Sequence, residues 1–240
     1  MERTWQAALV RIPAAPGQSR AITIPDLMKL AATESAKYPA IIYLHGCSGF
    51  WSGIQDRIKF LADQGFVVIA PASLARVTYP RSCNVETREG GLFRGTVVLR
   101  RNDAGHAIER ARELPMIDGN NIILMGFSEG AVVTATFKAQ NERQRLRARI
   151  VEGWTCHAIW PEYRGILAPP DEPVLSLLGA HDPWYQDQWS KGDCAKFLDP
   201  ENGSKSIIYN TDSFADQHGL LETPTVQQNV LDFLDMVLTD

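Results

Sequence analysis

Asn121-Ile-Ile-Leu-Met-Gly-Phe-Ser-Glu-Gly-Ala131 reads as a short apolar strand, a Gly126-x-Ser128-x-Gly130 turn and the opening of a helix. That strand–turn–helix context is what a nucleophile elbow requires. The turn holds its central residue in a strained conformation while the chain passes close by on both sides. Side chains two residues before and after Ser128 would collide, so glycine occupies both positions. Ser128 is therefore the first candidate for a nucleophile.

A serine hydroxyl needs a base to take its proton, and that base needs orienting. At elbows of this kind the partners follow in the order Ser, Asp/Glu, His, each on a loop after a later strand. The apolar run 174–178 leads into Gly179-Ala-His-Asp182-Pro, and the run 206–209 leads into a polar loop holding Asp216-Gln-His218-Gly. Ser128, Asp182 and His218 thus occur in the required order. Asp182 also reads as a turn residue before proline, and Asp212 and Asp216 compete for the acid role from the histidine's own loop. His181 is expected to point away from Asp182. His106, within a helix, and His157, after a strand, are not expected to be catalytic.

Acyl chemistry also needs donors for the developing oxyanion. The backbone N–H of Glu129 is one candidate. A second is the N–H of Cys47 in His45-Gly46-Cys47-Ser48-Gly49-Phe50, directly after the apolar run 40–44. His45 is expected to pack or hydrogen-bond beneath that loop. Glu129 itself is unexpected beside an oxyanion hole, where its charge opposes the reaction; it is expected to pair with an arginine or face a helix terminus.

The remaining chain fits one α/β domain over residues 1–240. Strand patterns at 6–12, 21–24, 40–44, 67–70, 121–125, 149–152, 174–178 and 206–209 alternate with helical patterns at 54–64, 96–114, 131–139, 185–197 and 225–239. The inner strands are continuously apolar, which suits a mostly parallel eight-stranded sheet with helices on both faces. The first two strands have no long helix between them and suggest an antiparallel start. The irregular stretch 71–95 is long for a compact domain and is expected to be functional or mobile.

Composition bounds the function. A net charge of −4 gives no electrostatic footprint for nucleic acid. The basic run Arg143, Arg145, Arg147 and Arg149 reads as a solvated helix end. No apolar run approaches the roughly 18–20 residues needed to span a bilayer, and no signal peptide is visible. The expectation is a cytoplasmic protein, or a periplasmic or secreted one if a signal was removed, acting without membrane or nucleic-acid partners as a monomer or homodimer. Cys47, Cys83, Cys156 and Cys194 lack metal-ligand spacing; in an oxidising compartment they could form two disulfides in any of three connectivities, and without a signal they are expected as reduced, buried thiols.

Together, Leu44-His-Gly-Cys-Ser-Gly49, Gly126-Phe-Ser-Glu-Gly130, Gly179-Ala-His-Asp182 and Gln217-His218-Gly219 resemble the dienelactone hydrolase-like branch of the α/β-hydrolase superfamily. The resemblance runs from about residue 38 to the C-terminus. It implies a hydrolase without cofactor or metal and without a large cap domain. It carries over Ser128 as nucleophile, Asp182 as acid, His218 as base, and Cys47 and Glu129 as oxyanion donors. Dienelactone hydrolases proper have cysteine at the elbow; Ser128 points instead to carboxylesterase-type chemistry on an ester or lactone. Acyl transfer or perhydrolysis on the same residues, or a catalytically silent binding protein, are the alternatives.

Specificity is expected from loops above the sheet. Phe50, Trp51, Tyr79, Phe93, Trp154, Trp160, Trp184 and Tyr185 concentrate there and suggest an apolar acyl or aryl pocket, although some of them would serve only to pack loops. Of these, Phe50, Trp51, Trp154 and Trp184 are the substrate-binding candidates. Arg76, Arg81, Arg88 and Arg94 lie in or near the long loop as solvated side chains or as ligands for a substrate carboxylate, with Arg81 the chosen candidate.

Overall fold

A computed structural model describes residues 1–211 and 214–239. Its centre is an eight-stranded sheet in the order β10-β9-β8-β7-β3-β4-β1-β2. In chain order these are β1 (Leu9–Ala15), β2 (Gln18–Ile22), β3 (Tyr38–Leu44) and β4 (Val67–Ala70), then β7 (Ile117–Phe127), β8 (Ala148–Glu152), β9 (Val174–Gly179) and β10 (Lys205–Tyr209). A small hairpin outside the sheet pairs β5 (Cys83–Asn84) with β6 (Glu89–Gly90). From β3 and β4 through to β10 all pairings are parallel, while β1 runs antiparallel to both β2 and β4. The antiparallel start and the parallel remainder match the sequence pattern.

Alternation along each strand feeds two apolar layers. In β3, Ile41 and Tyr43 face one layer, with α3 (Ile54–Asp63) and α6 (Pro224–Thr239) packed over it. Ala40, Ile42 and Leu44 face the other, beneath α1 (Glu2–Gln6), α2 (Ile24–Ala31), α4 (Gly95–Arg112) and α5 (Glu129–Thr136). Ala104, Ala107, Ile108 and Ala111 form the buried stripe of α4, as their spacing requires.

Several elements differ from expectation. Residues 185–197 do not form the predicted long helix; only Ala195–Phe197 makes a single 3₁₀ turn. Asp187 takes the backbone N–H groups of Trp189 and Ser190 on its carboxylate, so a side chain satisfies donors that a helix would use. Gly192 adopts a φ of 136°, and Cys194 is tied to Cys156. The helices α1 and α2 were not foreseen; α2 is started by Thr23, whose hydroxyl accepts from the Asp26 N–H.

The cysteines overturn the reduced-thiol expectation. Cys47 bonds to Cys83, and Cys156 to Cys194. The basic run is also only partly solvated. Arg149 is fully buried, donating to Glu172 and to the Thr134 and Phe137 carbonyls at the end of α5. No described helix is long and apolar enough to cross a membrane.

Candidate active site

The parallel strands bring the nucleophile, acid and base candidates to one edge. Loops at the C-terminal ends of β3, β7, β9 and β10 carry His45, Ser128, Asp182 and His218, the edge where ligands bind in open α/β sheets. Ser128 has φ 57° and ψ −122°, a conformation unfavourable for a non-glycine residue. Its N–H is held by the Glu152 carbonyl at 2.9 Å. The glycines around it are required by contact. A Cβ on Gly126 would lie 2.2 Å from the Gly130 carbonyl oxygen, and one on Gly130 would lie 2.1 Å from the Leu44 oxygen. The crowding thus comes from β3 as well as from the turn itself.

His218 Nδ1 and Asp182 Oδ2 are 2.7 Å apart, and Asp182 is almost fully buried. The second Asp182 oxygen accepts the Trp184 N–H at 3.0 Å, so Asp182 is both a turn residue and the histidine's partner. The other ring nitrogen, Nε2, is enclosed and makes no hydrogen bond. Trp184 stacks on the imidazole at 5.2 Å, and Phe127 and Tyr185 pack at 5.0 and 5.9 Å. Asp216 lies 3.6 Å from His181 instead, both well exposed; Asp212 lies outside the described residues. His106 sits against Glu2, and His157 Nε2 against the Asp193 carbonyl.

The loop after β3 runs beside the elbow: a Cβ on Gly46 would come 3.5 Å from that of Ser128. Glu129 opens α5, so its N–H has no acceptor within the helix. His45 lies beneath the loop. Its Nδ1 pairs with the Gly46 carbonyl at 2.7 Å, and its Nε2 takes the Ser73 N–H at 3.2 Å. Burial, reinforced by the Arg100 charge, pushes the His45 pKa down to about 3, so the ring is neutral and structural. Arg100 is fully buried and donates from Nη1 to Glu129 Oε1 at 2.7 Å and from Nη2 to the His45 carbonyl. The Glu129 carboxylate is therefore paired with an arginine, as its position demands.

A cavity of about 440 Å³ opens beside Ser128 and Glu129. Trp154, Trp160, Trp184, Tyr185 and Trp189 are among its walls. Cys47, Cys83 and Gly91 also line it, so the long loop forms one wall and is tied to the β3 loop by a disulfide.

A model of the dienelactone hydrolase family matches residues 28–185, well over half of the chain. The chain belongs to the dienelactone hydrolase family. Its fold is shared with a Thermus thermophilus protein at 17% identity and TM-score 0.61, covering 100% of this chain and 97% of that one. It is also shared with a dienelactone hydrolase-like promiscuous phosphotriesterase from metagenomic libraries, at 17% identity and TM-score 0.57, covering 97% and 98%. A thermophilic esterase from Thermogutta terrifontis, solved with butyrate, matches at 14% identity and TM-score 0.52, covering 95% and 86%. No curated protein matches the sequence.

In this dienelactone hydrolase family member the expected pocket residues divide. Trp154 and Trp184 line the cavity; Phe50, Trp51 and Arg81 do not. Phe50 packs edge-on against His45, and Trp51 packs on Phe127 and Arg57. Arg81 donates to the Cys83 carbonyl at 2.9 Å, which fixes the hairpin rather than a ligand. Arg76 is paired with Asp103 and Arg94 with Glu162. Among the described residues Arg88 makes no ion pair or hydrogen bond, and it lines the cavity.

One group of residues was missed. Glu152, fully buried at the end of β8, accepts the N–H groups of Leu220 and Leu221 at 2.7 and 3.0 Å on one oxygen. Its other oxygen takes Arg57 Nη1 at 2.5 Å. Arg57 also reaches Glu222 through two donors and the Tyr43 hydroxyl through Nη1. Burial alone would lower the Arg57 pKa, but Glu152 and Glu222 outweigh it and raise it well above its ordinary value. Glu152 thus holds Ser128 through its backbone and the His218 loop through its side chain. The available signals were a lone acid closing an apolar strand, and an arginine on the apolar stripe of α3.

Proposed function

We propose that this family member is a serine hydrolase of carboxylic esters or lactones, acting through an acyl-enzyme. The carrying observation is Ser128 in a strained elbow on the same sheet edge as a His218 that Asp182 engages at 2.7 Å, with Nε2 left free. His218 Nε2 takes the Ser128 proton as Oγ bonds to the substrate carbonyl carbon. The carbonyl oxygen gathers charge facing the N–H groups of Cys47 and Glu129. His218 then gives its proton to the leaving alcohol as the C–O bond breaks. Water repeats the sequence on the acyl group: it loses a proton to His218, and Ser128 leaves with that proton.

Similarity to an esterase solved with butyrate agrees with this reading, and the cavity beside Ser128 gives an acyl or alcohol group room. The two disulfides favour the periplasmic or secreted alternative over the cytoplasm. Ser128→Ala is expected to lower kcat for 4-nitrophenyl acetate by about 10³-fold or more and to abolish fluorophosphonate labelling. Wild-type turnover in that variant would refute the assignment.

A further inference from the structure

The charges facing the cavity are unequal in sign. Glu89, Glu129 and Asp187 line it, against Arg88 as the one lining lysine or arginine among the described residues. Burial opposes ionisation of Asp187, but the Ser190 hydroxyl and the Trp189 and Ser190 N–H groups outweigh it and hold its carboxyl below the usual range. Burial and the charge of Lys196 lower the His157 pKa, so that ring adds no positive charge at neutral pH. Burial, then the charge of Glu129, raises the Tyr163 pKa and keeps its phenol neutral.

Glu129 is the nearest of these charges to the reaction. Its Oε1 takes the bonds from Arg100 and Tyr79, which fixes the side chain. Its Oε2 has no hydrogen bond among the described residues and is not sealed from solvent, although the residue is more than nine-tenths buried. The free oxygen of a fixed carboxylate therefore stands in the cavity wall next to Ser128. Arg100 offsets part of this charge, but it lies beneath Glu129 and does not line the cavity. Apart from exposed Arg88, an entering anion meets carboxylate before guanidinium.

The walls carry the same preference. Trp154, Trp160, Tyr163, Trp184, Tyr185 and Trp189 are among the lining residues, and the faces of such rings attract cations. Arg94 already stands over Trp160 at 5.2 Å. The loop arginines that would hold a substrate carboxylate are instead engaged with Asp103, the Cys83 carbonyl and Glu162, apart from exposed Arg88.

We propose that this cavity takes esters bearing an ammonium group in preference to those bearing a carboxylate. The proposal rests on the serine-hydrolase reading and names the substrate class of that site. The ammonium sits among the aromatic rings with Glu129 Oε2 as counter-charge, while a carboxylate there faces Glu129 and Asp187.

Two matched series test it. On the acyl side, the 4-nitrophenyl esters are those of 4-(trimethylammonio)butanoate, its neutral isostere 5,5-dimethylhexanoate, and glutarate. On the alcohol side, the acetates are those of choline, 3,3-dimethylbutanol and 3-hydroxypropanoate. Each kcat/KM is divided by the ester's own hydroxide-catalysed rate. In at least one series the ammonium ester is expected to exceed the carboxylate ester about tenfold or more. That ratio should shrink in Glu129→Gln and in Trp160→Leu, whatever their absolute rates, and should fall at high salt. A carboxylate ester turned over as fast as its ammonium counterpart in both series overturns the proposal. Fluorophosphonate labelling of Ser128 separates the two levels. Labelled protein with no charge preference refutes only the substrate class, whereas unlabelled, inactive protein refutes the hydrolase reading and the proposal with it.

Discussion

Glu152→Ala isolates what holds the His218 loop in place. In the wild type one Glu152 oxygen takes the Leu220 and Leu221 N–H groups, and the other takes buried Arg57. Alanine leaves two enclosed backbone donors without acceptor, each worth about 1–3 kcal/mol. It also removes one of the two carboxylates on a guanidinium that is 2% exposed; breaking such a buried pair costs about 3–5 kcal/mol. Glu222 is half exposed and keeps its two bonds to Arg57, so the terms do not add in full and about 4–5 kcal/mol is expected. Glu152→Gln retains an acceptor for both N–H groups but turns its NH2 towards Arg57, so it should lose about 3 kcal/mol, from the buried pair alone. Urea unfolding at pH 7 gives the stabilities, and native-state hydrogen exchange at the Leu220 and Leu221 amides gives the local effect. Both amides should lose protection in the alanine variant and keep most of it in glutamine. Wild-type protection at both amides in Glu152→Ala would refute the reasoning. Because the freed loop carries His218, kcat should fall more than KM rises, by about 10²-fold for a displacement near 1 Å.

Three further outcomes follow from the geometry. His45 has an ordinary pKa of 6.5 and a folded value of about 3, so only the unfolded chain takes up its proton between those values. Its contribution to stability is complete above pH 6.5 and is lost on acidification towards pH 3, by up to about 1.4 kcal/mol per pH unit; His45→Asn should flatten that limb in urea titrations at pH 7, 5 and 4. Reducing Cys47–Cys83 opens a loop spanning 36 residues in sequence separation, worth about 3–4 kcal/mol by chain entropy, so a Cys47→Ser/Cys83→Ser double variant should melt well below the oxidised protein in calorimetry. Gly130→Ala places a methyl 2.1 Å from the Leu44 carbonyl oxygen; backbone cannot yield cheaply there, and the soluble yield and Tm should both drop sharply.

The fold, and the placement of Ser128, Asp182 and His218 on one sheet edge, were legible because each rests on local chemistry. Glycines two residues on either side of Ser128 mark an elbow, and apolar runs mark strands buried on both faces. The long-range features were not legible in the same way. Nothing near Cys47 names Cys83 as its partner, and the pairing emerges only when the long loop folds over the β3 edge. The helix expected at 185–197 failed because Asp187 competes for backbone donors, a contest that periodicity does not register. Arg81 looked like a ligand from its place in the loop, yet it is engaged with the hairpin beside it.

Two buried arginines explain how the loops around Ser128 keep their register. Arg100 joins the β3 loop to α5 by binding the His45 carbonyl and Glu129 together. Arg57 joins α3 to the β8 end and the His218 loop through Glu152 and Glu222. Neither is an economical source of stability, since buried ion pairs often do no better than apolar replacements of similar volume. Their geometry suggests a positional purpose: each spans segments of the chain that share no hydrogen-bond ladder. Stability and turnover should therefore separate in Arg57→Met/Glu152→Leu. Folding stability should fall by less than in Glu152→Ala, because no buried guanidinium is left short of a carboxylate and half-exposed Glu222 is left to solvent, while kcat should stay as low as in that single variant. If the double variant regained both stability and turnover, packing alone would set the position of His218 and the clamp would be dispensable.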